Sequence, residues 1–199
     1  MPFQGENNEK ICNNAKNCCY YTERRLAPIW GGCSDDDDDA KFNVEWVRSG
    51  ADDSEIQDLF RKTNGFRTGN EANYKDEKGR TVTVSNLNAL QLDEELCKAA
   101  VIRAEEIVQS FSHTRPNGSS CFSILKDCSI SYGWAAENIA AGSSTGAATF
   151  NQWKEDGKDY SGQGHRRNML STDAKKIGLA YAYSPEATYK YYWVMILTN

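Results

Sequence analysis

The chain has 199 residues, of which 26% are charged, and it carries a formal net charge of −5 at pH 7. This acidic balance, without any basic stripe, argues against nucleic acid as a partner. No apolar run approaches the roughly 18 residues that a membrane span requires, so we expect no membrane-spanning segment.

The N-terminal part of the chain predicts an extension rather than a core. Its first residues lack a charged region followed by an apolar one, so no signal peptide is expected, which leaves a cytosolic protein or the mature form of an exported one. Residues 1–34 have no helical or strand period, which predicts a small cross-linked unit or a partly disordered arm. Aspartates 35–39 repel one another and predict a solvated linker, since calcium loops space their ligands at alternate positions. We therefore divide the chain into an extension, residues 1–52, and a main domain, residues 53–199.

Seven cysteines favour disulfides, and hence an oxidising compartment, although an odd number leaves at least one thiol over. Three of them lie in the main domain, and the spacing favours Cys121 and Cys128 as a local pair. A zinc site is the alternative for the other four, but they lack paired C-x2-C knuckles. Those four are Cys12, Cys18, Cys19 and Cys33.

The main domain begins with a predicted helix. Asp53 or Ser54 is a suitable cap, and Gly65 a suitable end. Four apolar residues between them recur near helical spacing: Ile56, Leu59, Phe60 and Phe66. Residues 68–78 are polar and turn-rich, residues 76–79 predict a loop, and residues 81–84 predict a short strand.

A second helix is the clearest prediction, because apolar and small residues repeat at three and four from Leu92 to Phe111. Asp93 is its candidate cap. The turn sequence Arg115–Gly118 closes this stretch, so His113 lies at or just past the end of the helix. A histidine in that position is well placed to face a cleft.

The C-terminal half alternates short elements. Residues 130–139 predict extended or short helical structure, and Thr145 caps a helix that runs to about Glu155. Ser161 or Gly162 begins a short helical turn that carries His165. Residues 176–183 alternate and predict a half-buried strand, and residues 191–198 predict a buried strand. Helices that flank an antiparallel sheet predict an α+β domain of three layers.

Histidines and acids that lie in or near predicted turns are expected to line one polar cleft. His113, Glu137 and His165 are its expected members, with a further acid from Glu155 or Asp156. Two neutral imidazoles and water suit a Zn²⁺ site in which carboxylates orient the ligands. The same groups without metal suit general acid–base chemistry. The wide sequence spacing does not decide between the two.

Several motifs in order then give a resemblance. The segments are Phe111–Gly118 (F-S-H-T-R-P-N-G), Ala136–Ala140 (A-E-N-I-A) and Gly164–Leu170 (G-H-R-R-N-M-L). Together with Trp153, they make residues 53–199 resemble the CAP superfamily of cysteine-rich secretory proteins, antigen 5 and pathogenesis-related 1 proteins, in its bacterial SCP-domain form. The resemblance implies an α-β-α sandwich with a central cleft that holds two histidines and two acids.

The resemblance also implies site residues and a function class. His113 and His165 match the family histidines, Glu137 matches the first acid, and Asp156 falls at the second, with Glu155 one residue earlier. Some members bind Zn²⁺ or another divalent cation at the two histidines, and the family is mostly secreted. We therefore expect a secreted module that binds a small molecule, lipid, glycan or peptide. The alternative is a metal-assisted, peptidase-like hydrolase in which Glu137 or Asp156 takes a proton from water.

Overall fold

The computed structural model describes residues 41–199. The predictions for the first four cysteines and for the acidic run lie outside these residues. The described chain forms seven strands and five helices in the following order: β1 (Trp46–Ser49), α1 (Ser54–Thr68), β2 (Asn73–Lys75), β3 (Thr81–Thr83), β4 (Gln91–Leu92), α2 (Glu94–Gln109), α3 (Ser123–Asp127), β5 (Ala135–Ala141), α4 (Gly146–Lys154), α5 (Gly164–Met169), β6 (Lys176–Tyr183) and β7 (Tyr191–Thr198).

Five strands form the main sheet. Its order is β1-β6-β7-β5 with antiparallel neighbours, and the short β4 pairs in parallel with β6. Strand β5 is therefore an edge strand. The sheet begins at Trp46, before the domain boundary predicted at residue 53. β2 and β3 form a separate hairpin.

Each face of this sheet carries its own hydrophobic core, as the pleat of β7 illustrates. Trp193, Met195 and Leu197 join a cluster with α1, α4 and α5. The alternate residues Val194 and Ile196 join a second cluster with α2 and α3. Successive strand side chains point to opposite faces, so one strand serves both cores. The result is the three-layer α+β sandwich expected from the sequence.

Helix α2 packs especially close to β6. A Cβ atom added at Gly178 of β6 would overlap the backbone carbonyl and the side chain of Leu96. Glycine therefore sets the distance between helix and sheet at this point. In the residues that the structure describes, no helix is long and apolar enough to cross a membrane.

Most local predictions are confirmed, with clear exceptions. Asp93 caps α2 and Thr145 caps α4, each through its side-chain oxygen. Helix α1 does not end at Gly65 but continues to Thr68, because buried Arg67 donates to the carbonyls of the neighbouring loops. The loop predicted at 76–79 joins β2 to β3, whereas β6, predicted as a half-buried strand, is buried over most of its length. Strand β2 and helix α3 were not predicted.

The predicted Cys121–Cys128 disulfide is wrong: within residues 41–199 the structure forms none. Helix α3 separates the two cysteines. The backbone N–H of Cys121 donates to the carbonyl of His113, on the side of the cleft. Cys128 packs instead against the core beneath α2.

Two glycine-to-alanine substitutions should change the free energy of unfolding in opposite directions, and together they test the packing. Gly178→Ala should lower the free energy of unfolding by about 1–3 kcal/mol, because the new methyl group overpacks the α2 contact. Gly65→Ala should raise it by about 0.5–1 kcal/mol, since nothing lies within 4 Å of the added Cβ and alanine favours the helix. Urea unfolding of both variants measures these changes. Equal effects of both substitutions would contradict this account of the packing.

Candidate functional site

A polar cleft lies at the β5 edge of the sheet. It encloses about 300 Å³ and contains both histidines of the chain. Its lining consists of polar residues and glycines: His113, Glu137, Glu155, Lys158, Ser161, Gly162, Gly164, His165 and Asn168. The structure thus brings His113, Glu137 and His165 into one cleft, as expected.

Two adjacent residues of β5 reach opposite sides of the sheet. Glu137 faces the α2 layer, where it meets Arg103. Asn138 faces the other layer, where its amide nitrogen donates to the carbonyl of His165 at 3.1 Å and its oxygen accepts from Asn168 at 2.8 Å. Because strand side chains alternate, the pair joins both helical layers at one edge.

Glu137 is the most enclosed acid of the cleft, with a side chain that is 2% exposed. Arg103 donates hydrogen bonds to both carboxylate oxygens of Glu137, with Nε at 2.8 Å from Oε2 and Nη2 at 3.2 Å from Oε1. Burial alone would raise the pKa of Glu137, but hydrogen bonds from His113 and Arg103 and the charge of Arg103 hold that pKa below its ordinary value of 4.5. Glu137 is therefore ionised at neutral pH.

His113 is oriented by this carboxylate. Its Nδ1 lies 2.7 Å from Oε1 of Glu137, and an ionised carboxylate only accepts, so Nδ1 carries the proton. The imidazole side chain is 56% exposed. Within the described residues its Nε2 has no hydrogen-bond partner, which leaves that atom available to the cleft.

His165, at the start of α5, has a similar arrangement with Glu155. Nδ1 of His165 lies 2.9 Å from Oε1 of Glu155. The other carboxylate oxygen accepts the backbone N–H groups of His165 at 3.1 Å and Arg166 at 3.3 Å, so Glu155 also caps α5. Burial lowers the pKa of His165 below 6.5, and the charge of Glu155 offsets this only in part.

The second acid is Glu155, which corrects the expectation of Asp156. Helix α4 ends at Lys154, and Glu155 adopts a left-handed conformation with φ of +51°. This turn directs Glu155 into the cleft and leaves Asp156 outside, 63% exposed, bound to Arg166 at 2.7 Å and Lys154 at 3.2 Å. Since a non-glycine residue with positive φ is uncommon, the buried contacts of Glu155 must hold it there.

Two residues near the histidines were not anticipated. Arg103 lies in the otherwise apolar stripe of α2, and a buried arginine in such a stripe signals a buried acid partner. Cys121 follows a turn that folds the chain back, with Thr114 bridged to Ser120. Its sulfur lies within 4.8 Å of ligand atoms of His113 and Glu137. Burial, with the charge of Glu137, raises the pKa of this thiol to about 11.

Comparison with known proteins identifies the family of this chain. The profile of CAP, the Cysteine-rich secretory protein family, matches residues 60–197, more than half of the chain. The chain belongs to the CAP family. It is 34% identical over 100 residues to the uncharacterized protein YkwD of Bacillus subtilis (strain 168), an overlap of 49% of this chain and 37% of YkwD. The chain thus spans little more than a third of the length of this relative.

Two solved structures show the same CAP fold. One is an extracellular protein containing a SCP domain from Bacillus anthracis str. Ames, with a TM-score of 0.52 and 22% identity over 72% of this chain and 39% of that one. The other is an outer surface protein from Borrelia burgdorferi, with a TM-score of 0.56 and 18% identity over 77% of this chain and 98% of that one. Together with the family match, they identify a bacterial-type SCP domain.

The buried ion pair predicts a pH-dependent effect of Glu137→Gln. At pH 7 the substitution removes the buried carboxylate that Arg103 binds through two nitrogens, leaves Glu106 as the remaining acid beside Arg103, and should cost up to about 3–5 kcal/mol in free energy of unfolding. The folded-state pKa of Glu137 is depressed, so its contribution is complete above pH 4.5 and is lost as the pH falls through that lower pKa. Urea unfolding from pH 7 to pH 3 should show the two proteins converging. A constant difference across this range would contradict the assignment.

The second acid is tested by two neighbouring substitutions. Glu155→Gln should lower the pKa of His165 further, because it removes the charge that raises this pKa against burial. Asp156→Asn, the matched control one residue away, should leave the titration of His165 unchanged. NMR titration of the imidazole measures both. A shift with Asp156→Asn alone would restore Asp156 as the second acid.

Proposed function

We propose that the chain is an exported CAP module whose cleft binds a divalent cation, Zn²⁺ above all, and recognises a polar ligand there. The observation that supports it is the shared orientation of the histidines. His113 and His165 each direct Nδ1 to a carboxylate, Glu137 at 2.7 Å and Glu155 at 2.9 Å. Each Nε2 therefore has a lone pair available for the cleft.

The donor chemistry fits such a cation. Metal-bound histidines usually give their other ring N–H to a carboxylate, which fixes the tautomer and raises the basicity of the ligating nitrogen. Burial also lowers the pKa of His165, which favours the neutral imidazole that a metal requires. His113 and His165 would hold the ion. When bound, it would supply a positive, Lewis-acidic centre for an oxygen atom of the ligand.

A second donor set lies close by but fits less well. His113, Cys121 and Glu137 offer ligand atoms within 4.8 Å of one another. A dication among them would lie beside the Arg103 guanidinium and would compete with it for both oxygens of Glu137. The thiol would also have to lose its proton in a buried position. The two-histidine site is therefore the better candidate.

The same contacts favour binding over hydrolysis. Catalytic zinc normally has three protein ligands and one open position, whereas the cleft offers two imidazoles. A base for hydrolysis must also be able to take a proton from water. Glu137 is held by Arg103 and His113, and Glu155 by His165 and two backbone N–H groups, so neither acid is readily available.

The lining indicates the class of ligand. Lys158, Ser161 and Asn168 offer polar groups, and the glycines add no apolar surface. Such a cleft suits the oxygens of a glycan or peptide better than a lipid chain, which requires apolar walls. The similar structures include an extracellular protein and an outer surface protein, which supports export.

Zinc titration by calorimetry tests the proposal. The wild-type protein should bind one Zn²⁺ per chain in the cleft, and His113→Ala and His165→Ala should each weaken binding at least about tenfold, because each removes a ligand. Cys121→Ser is the matched control, since it removes the thiol and keeps both histidines.

The variants separate the two donor sets. Binding that survives His165→Ala but not Cys121→Ser would assign the ion to the alternative set and overturn the proposed site. Absence of zinc binding in wild type would overturn the cation proposal altogether. With zinc bound, soluble glycan fragments and peptides should shift the NMR signals of cleft residues such as Lys158 and Ser161.

A further inference from the structure

A chain of alternating charges runs from the cleft to the protein surface. It starts at Glu137, which is bound to Arg103. Nη1 of Arg103 lies 2.6 Å from Oε2 of Glu106. Arg115 then binds Glu106 through Nε at 2.9 Å and Nη2 at 2.7 Å, and Asp127 through Nη1 at 2.6 Å.

Arg115 links its own turn to two helices, α2 and α3. Besides the two acids it donates to Oγ of Ser123 at 2.7 Å. Glu106 belongs to α2, whereas Ser123 and Asp127 belong to α3. Arg115 is buried, and its planar fork of donors reaches partners that a lysine could not reach together.

This network surrounds the segment that carries His113. Arg103 donates to the carbonyl of Ser112 at 2.9 Å, directly before His113. Arg115 follows His113 by two residues, and its own backbone N–H donates to Ser119 across the turn. Among the described residues, the imidazole itself has one hydrogen bond, to Glu137, and it is more than half exposed. The position of the His113 backbone is therefore set by these neighbours together with Cys121, whose N–H donates to the His113 carbonyl.

We propose that Arg115, acting through Glu106, is a positioning residue of the cleft that holds His113 in register with Glu137. Without Arg115, Glu106 keeps its ion pair with Arg103 and competes more strongly with Glu137 for that guanidinium. The turn after His113 also loses its anchor to α2 and α3. His113 then departs from Glu137, and the tautomer with the proton on Nδ1 becomes less populated.

The effect is selective for one histidine. His165 takes its contacts from Glu155 and Asn138, on the other side of the sheet edge. A merely structural role of Arg115 would loosen the domain and change both histidines together. A positioning role changes His113 and leaves His165 as it is.

Long-range ¹H–¹⁵N NMR of the metal-free protein tests this directly, because the chain contains two histidines and hence two sets of imidazole signals. Arg115→Gln should shift the ¹⁵N signals of His113 away from the Nδ1-protonated pattern, with His165 unchanged. Arg80→Gln is the matched control, since Arg80 forms an exposed ion pair with Asp76 in the β2–β3 hairpin. Unchanged His113 signals in Arg115→Gln, or equal changes at both histidines, would overturn the proposal.

Two further variants keep the test decisive if Arg115→Gln does not fold. Glu106→Gln removes the middle of the network and should change His113 in the same way. Arg115→Lys retains the charge without the fork and should restore the wild-type signals only in part.

Zinc affinity provides the second readout, and this arm rests on the proposed function. Residues that orient a metal ligand commonly contribute ten- to hundredfold to affinity, so Arg115→Gln should weaken zinc binding by about tenfold. If wild type binds no zinc, the proposed function fails, while the metal-free NMR comparison still decides the role of Arg115. If wild type binds zinc and Arg115→Gln binds it equally, the positioning role is contradicted.

Discussion

The buried ion pair between Arg103 and Glu137 is the contact on which the cleft depends. It joins the middle of α2 to the edge strand β5, 34 residues later, and both groups are removed from water. Two desolvated charges are stabilising only when each finds partners for its remaining hydrogen-bonding groups. Here Glu106 and the carbonyl of Ser112 accept the remaining hydrogen bonds of the Arg103 guanidinium, and His113 donates a further hydrogen bond to the Glu137 carboxylate. The hydrogen bond that orients His113 is thus also one of those that stabilise the buried charge of Glu137.

The edge of the sheet explains why the cleft draws on both helical layers. Glu137 and Asn138 are neighbours on β5, but the pleat turns them to opposite faces. Glu137 meets Arg103 in the middle of α2 and the turn that carries His113, and Asn138 meets α5 at His165. Each histidine then has its own acid, Glu137 or Glu155, and leaves Nε2 to the space between. Because the sheet edge brings the two histidine–acid pairs together, these residues need not be close in sequence.

Much of this could be predicted from the sequence, and the exceptions have physical causes. The period of α2, its Asp93 cap, the alternation in β6 and the apolar run of β7 are local signals, and these signals predicted the elements. The choice between Glu155 and Asp156 is not local. It depends on a left-handed residue at the end of α4, which buried contacts made ten residues later stabilise. Likewise, the end of α1 depends on hydrogen bonds from Arg67 to carbonyls about a hundred residues away in the sequence. No local capping residue predicts these bonds.

In the proposed site, two carboxylate-oriented histidines present Nε2 to one cation. Anomalous diffraction at the zinc edge, from crystals of the wild-type protein soaked in Zn²⁺, tests this most directly. We expect one peak in the cleft, at about 2.0–2.1 Å from Nε2 of His113 and from Nε2 of His165. A peak on Cys121 and Glu137 instead, or no peak in the cleft, would contradict it.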